Sequence, residues 1–131
     1  KMNFAENTTH IGEVADVLDY LDSLEKGRFD LIVLDPPAFA KHQRNLQQAL
    51  KGYRAINQKA MEKIASGGLL FTFSCSQAVS KEDFATMLFS CAALSGRNVR
   101  IIKHLAAGTD HPQGIFHPEG SYLRGVLLDI E

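Results

Sequence analysis

The chain has 131 residues, 45% hydrophobic and 22% charged, with a formal net charge of −1. These values describe one soluble globular domain over residues 1–131 and exclude a disordered chain. No run approaches the roughly 18 to 20 apolar residues that span a bilayer, and the polar start Lys1 to His10 lacks the apolar stretch of a secretion signal. No membrane partner is expected, and the cytoplasm is the expected compartment. Cys75 and Cys91 belong to no CxxC pair and lie near no histidines at zinc-ligand spacing, which fits a reducing compartment and weighs against a structural metal.

In chain order, Asn7 to Val17 reads as a loop with a short strand ending near Ala15-Asp16. Val17, Leu18, Leu21 and Leu24 then set out a short helix stopped by Gly27. Phe29 to Leu34 is a buried strand. Leu46, Leu50, Tyr53, Ala60 or Met61, and Ile64 recur at helical spacing, and Ser66-Gly67-Gly68 ends that helix before a second strand, Leu69 to Phe73. Strand, helix, strand implies a right-handed parallel crossover. Ser80 is an N-cap before the acidic turn Glu82-Asp83, with Phe84, Met87, Leu88, Cys91 and Ser95 on one face. Val99 to Leu105 and Tyr122 to Ile130 are two further strands. The Gly/Pro-punctuated segment between them holds Asp110-His111-Pro112 and His117-Pro118-Glu119-Gly120 but no helix long enough for a parallel crossover, so this pair is expected to be antiparallel.

Two strands stop abruptly in residues with chemistry: Asp35-Pro36-Pro37 after the first and Ser74-Cys75-Ser76 after the second. In a parallel sheet ligands bind beyond the carboxyl ends of the strands, so Asp35 and Cys75 are expected to open onto one cleft. Charge is uneven beside it. Residues 1–35 carry eight acids against three Lys/Arg, whereas Pro36 to Met61 holds no acid and five bases, Lys41, Arg44, Lys51, Arg54 and Lys59. Such a cluster would suit phosphates near the cleft, although charge alone favours a solvated helix face.

Asp-Pro-Pro-x-Phe after one strand, Ser-Cys-Ser after the next, and His-Pro-Glu-Gly-Ser-Tyr-Leu-Arg-Gly near the end resemble one family over most of the chain. It is the C-terminal half of class I S-adenosyl-L-methionine-dependent methyltransferases of the bacterial 23S ribosomal RNA large-subunit methyltransferase I type, which make 5-methylcytosine. The resemblance begins near Glu13-Val14-Ala15-Asp16-Val17, which is similar to the family's third-strand segment. The fold it implies is α/β, a partial Rossmann-like methyltransferase sheet, mostly parallel with an antiparallel C-terminal strand pair, lacking the first two strands. The upstream RNA-binding domain and the Gly-rich cofactor turn of the family are not found in this sequence; Gly67-Gly68 precedes a strand rather than following one and cannot be that turn. The family's first strand lies beside the Asp-Pro-Pro strand, so Leu31 to Leu34 is expected to have an unpaired edge, covered by residues 1–12 or by a second copy in a homodimer.

The resemblance also implies roles. Cys75 would add as thiolate to carbon 6 of a cytosine in ribosomal RNA, making carbon 5 nucleophilic; read as a residue alone, it is equally a small buried hydrophobe. Cys91, on a helix face with Phe84 and Leu88, is core. Asp35 would hold the base, or cap the turn as Asp before Pro often does. The cofactor S-adenosyl-L-methionine would lie against Asp16, Val17, Asp35 and Pro36, with Asp16 accepting from the adenine amine or else capping the following helix. Pro37 and Phe39 would line the base pocket, and Lys41 and Arg44 would meet RNA phosphates; Phe39 either stacks on the base or closes the core. Ala38 directly follows Asp-Pro-Pro, where amino-group methyltransferases place an aromatic residue, so the register disfavours amine methylation. Tyr122 and Leu123 are read as core, and His111 and His117 as solvent-facing. A non-catalytic scaffold that contacts RNA or itself through the basic helix and open edge is the alternative.

Overall fold

In the computed structural model, residues 8–39, 42–108, 115–116 and 123–131 are described. Asp16 accepts from the backbone of Leu18 and Asp19 and so starts α1 (Val17–Ser23). The far end of α1 is tied down by Lys63, whose Nζ donates to Asp22 O (2.9 Å) and Leu24 O (2.7 Å). Strand β1 (Leu31–Leu34) follows, then a 3-10 turn (Gln43–Asn45) and the long helix α2 (Leu46–Lys63). The chain leaves α2 through Gly67, whose φ of 77° is a left-handed conformation that glycine adopts without strain, and enters β2 (Gly68–Ser74). Helix α3 (Lys81–Ser95) begins with a reciprocal capping box between Ser80 and Asp83 and ends at Gly96, also left-handed. Strands β3 (Val99–Leu105) and β4 (Arg124–Ile130) complete the order.

The sheet order is β1-β2-β4-β3. β1 and β2 are parallel, and β4 is antiparallel to both β2 and β3. Three strands therefore run one way and β4 alone is reversed, inserted between β2 and β3. The expected antiparallel C-terminal pair is present; its insertion beside β2 was not expected from the sequence. One continuous core gathers Tyr53, Ile56, Ala60 and Met61 of α2, Phe84, Leu88 and Cys91 of α3, and Leu70, Val126, Leu128 and Ile130 of the sheet. The alternate residues Leu31, Val33, Phe71 and Leu127 lie on the opposite face by their register, with Leu31 50% and Val33 57% exposed.

Two expectations change. No strand forms before Asp16: residues 8–16 are irregular and exposed, and without a hydrogen-bonding neighbour an extended segment gains no ladder. Residues 8–12 do not pair with β1, and among the described residues no segment pairs with its outer edge; residues 1–7 lie outside the described residues. So do Lys41, Asp110, His111, His117 and Tyr122. Among the described residues no helix is long and apolar enough to cross a membrane.

Candidate functional site

Asp35 directly follows β1 and Cys75 directly follows β2. Because these strands are parallel, with Leu34 opposite Thr72, both residues leave the sheet at the same rim. The Cys75 thiol donates to the Pro36 carbonyl across 3.7 Å, a weak S–H···O contact that brings the two strand-end segments together. Cys75 is half-buried between the buried residues Ser74 and Ser76, while Asp35 is exposed and Pro36 half-buried. A half-buried thiol and an exposed carboxylate therefore share one edge of the sheet.

Cys91 behaves oppositely. It is fully buried, with Sγ 3.5 Å from Met87 Sδ and 3.6 Å from Arg54 O, and burial pushes its thiol up to about 11, outweighing the opposing effect of the Arg54 cation. It is a core residue, as its helix face predicts.

The other predicted positions are placed less uniformly. Phe39 is 39% exposed and stands edge-on to Tyr53, with ring centroids 4.7 Å apart, while its ring covers Gly52. It thus closes over the core and keeps one part of the ring outside. Pro37 is exposed beside it. Asp16 uses Oδ1 to cap α1, at 2.9 Å from Leu18 N and 3.2 Å from Asp19 N, and Val17 is exposed at the first position of that helix. Arg44, Lys51 and Arg54 are exposed. Lys59 departs from the basic cluster: its ammonium pairs with Asp22 at 2.6 Å, and that hydrogen bond raises its pKa above the ordinary lysine value. Two cavities lie away from the rim. One, of about 560 Å³, is an apolar groove between α3 and strands β3 and β4; the other, of about 620 Å³, lies among Thr9, Ile11, Val17, Tyr20 and Phe29. Neither is lined by Cys75 or Asp35.

Sequence reading overlooked the buried polar residues behind that rim. Asn57, Thr72 and Ser76 are fully buried, with Tyr53 beside them. Thr72 Oγ1 donates to Asn57 Oδ1 (2.6 Å), Asn57 Nδ2 donates to Tyr53 O (2.8 Å), and the Tyr53 hydroxyl shares a hydrogen bond with Ser76 Oγ (3.1 Å). The available signal was Asn57, a polar residue one helical turn after Tyr53 on the apolar stripe of α2.

No family model matches the chain. A solved structure from Streptococcus mutans, described as a SAM-dependent methyltransferase, superposes with a TM-score of 0.68 at 17% identity, covering 88% of this chain and 30% of the other. A DNA modification methylase homologue from Thermus thermophilus, solved with S-adenosyl-L-methionine, gives 0.59 at 14% identity, covering 90% and 54%. The fold is that of the SAM-dependent methyltransferases. Curated relatives narrow the resemblance. Over 105 residues, 79% of this chain, it is 42% identical to the ribosomal RNA large subunit methyltransferase I of Aeromonas salmonicida. Over 102 residues, 78% of this chain, it is 42% identical to the protein of that name from Shewanella amazonensis. The chain is similar to the C-terminal part of these relatives and spans about a quarter (26%) of their length.

Proposed function

We propose that the chain forms the C-terminal part of a catalytic domain that transfers a methyl group to carbon 5 of a cytosine in ribosomal RNA, with Cys75 as covalent nucleophile. The observation that carries this reading is the contact between the Cys75 thiol and the Pro36 carbonyl at the rim where β1 and β2 end. Asp16, Val17, Asp35 and Pro36 would hold S-adenosyl-L-methionine: both carboxylates are exposed and can accept from amines, which suits the donors of an adenosyl amino acid. When bound, the cofactor supplies an electrophilic methyl group on a sulfonium. Cys75, as thiolate, adds to carbon 6 of the base, and the electron pair displaced toward carbon 5 makes that carbon the attacking atom. After methyl transfer the carbon 5 proton passes to a base, the carbon 6–sulfur bond breaks, and the thiolate is regenerated. Asp35 accepts from the exocyclic amine or a protonated ring nitrogen and fixes the base over the thiol. Pro36 and Pro37 stiffen the turn, Phe39 offers an edge beside it, and Arg44 and Lys41 meet phosphates.

The test is transfer of labelled methyl groups to large-subunit ribosomal RNA, with nucleoside analysis of the product. The expected product is 5-methylcytidine, absent with Cys75→Ala; transfer that survives this substitution, or a methyl group on the amine, overturns the covalent reading. Calorimetric titration with S-adenosylhomocysteine should release heat, and a flat titration counts against the cofactor site. The outer edge of β1, unpaired among the described residues and uncharged, with Leu31 and Val33 exposed, favours a second reading, association of two copies through β1. Sedimentation at rising protein concentration should then show dimers, and a monomer throughout would remove it.

A further inference from the structure

A buried side chain of α2 reaches the Ser-Cys-Ser segment from the core. Tyr53 is fully buried in α2, yet it carries a hydroxyl where phenylalanine would fill the same space with no polar atom to satisfy. That hydroxyl lies 3.1 Å from Ser76 Oγ, and the Ser76 N–H donates to Ser74 Oγ at 3.3 Å. Ser76 is thereby tied both to α2 and to Ser74 at the end of β2, and the thiol between them lies against the Pro36 carbonyl. The Tyr53 ring meets the other strand end as well, since Phe39 stands edge-on to it at 4.7 Å. On the core side, Phe84 meets the ring edge-on at 6.0 Å. Asn57 anchors the same helix turn to β2 through Thr72. One residue thus touches the segment after β1 and the segment after β2.

We infer that Tyr53 is a positioning residue for Cys75: its buried hydroxyl, acting through Ser76, sets the backbone that holds the thiol at the rim where β1 and β2 end. This rests on the reading of Cys75 as the nucleophile. A tyrosine serving only to fill the core would matter through its ring, and its hydroxyl would leave Cys75 unchanged. A tyrosine that positions the thiol acts through the hydroxyl, and Ser76 must be its relay.

The experiment is alkylation of the folded chain by iodoacetamide at about pH 8, followed by mass spectrometry of the Cys75 and Cys91 peptides. In the native protein Cys75 should react and Cys91, buried in the core, should not. Tyr53→Phe keeps the ring but removes its hydrogen bond to Ser76. It should raise the Cys75 alkylation rate by about fivefold, the equilibrium worth of one buried hydrogen bond. Ser76→Ala should give the same increase, the double variant no more than either single one, and Ser76→Thr the native rate. Cys91 should stay silent in all of them. Unchanged Cys75 rates in both Tyr53→Phe and Ser76→Ala overturn the inference, as does a rise accompanied by Cys91 labelling, which marks general loosening. These rates are read without methyl transfer. A Cys75→Ala variant that still methylates RNA therefore removes the nucleophile and leaves the positioning result standing, whereas unchanged rates beside an inactive Cys75→Ala remove the positioning alone.

Discussion

Replacing Arg97 with alanine removes the group that closes the carboxyl end of α2. Its guanidinium donates to Met61 O (3.0 Å), Ile64 O (3.1 Å), Ala65 O (3.4 Å) and Glu131 O (2.8 Å). Carbonyls in and just after the last turn of a helix lack intrahelical donors, and a cation there also opposes the negative end of the helix dipole. A hydrogen bond from a charged donor contributes ~1.5–3 kcal/mol, but Arg97 is half-buried and water takes over part of the set, so the net loss is about 3 kcal/mol. In a domain of 131 residues that corresponds to a fall of about 10 °C in Tm. Urea titration followed by circular dichroism should show a lower midpoint with an unchanged slope. Arg100→Ala is the control: its pairs with Asp129 (2.7 Å) and Glu131 (2.6 Å) are screened by solvent, so the midpoint should move little. Equal, small shifts in the two variants would refute the capping role.

Two further outcomes follow from the core. The Cys91 thiol is held at about 11 against an ordinary 9.0 by burial, so between those values the unfolded chain gives up a proton that the folded chain keeps. Stability should be full below about pH 9 and fall by about 2–3 kcal/mol as pH rises to about 11, and Cys91→Ala should flatten this slope in urea titrations across the range. A β-carbon at Gly125 would stand 2.7 Å from Phe73 Cε1 and 2.9 Å from Leu105 Cβ. Gly125→Ala should therefore cost about 1–3 kcal/mol by thermal denaturation, and an unchanged Tm would show that the Phe73 ring yields freely.

Most elements were legible because each is marked locally. Ser80 with Asp83 announces the start of α3, Gly67 marks the turn between α2 and β2, and the two apolar runs ending in Asp35 and Cys75 are strands because so few residues separate their boundaries. Asp16 was legible in both its readings, and its capping contact is the one the geometry displays. The segment before it misled: Ile11 and Val14 suggest a strand, but strands form only against a partner, and here both residues are exposed. The basic run misled in a different way, since the acid that claims Lys59 comes from α1, 37 positions earlier in number.

The sequence by itself determined the helices, the four strands and the places of Asp35 and Cys75 at strand ends, because capping, periodicity and turn chemistry act over a few neighbouring residues. Only the tertiary structure decided that β4 enters between β2 and β3, that Arg97 closes a helix more than thirty residues before it, and that Tyr53 reaches Ser76 beneath the thiol. These are pairings between distant parts of the chain. They are selected by which buried polar groups find partners and which apolar faces meet, and neither condition leaves a mark on the local pattern of residues.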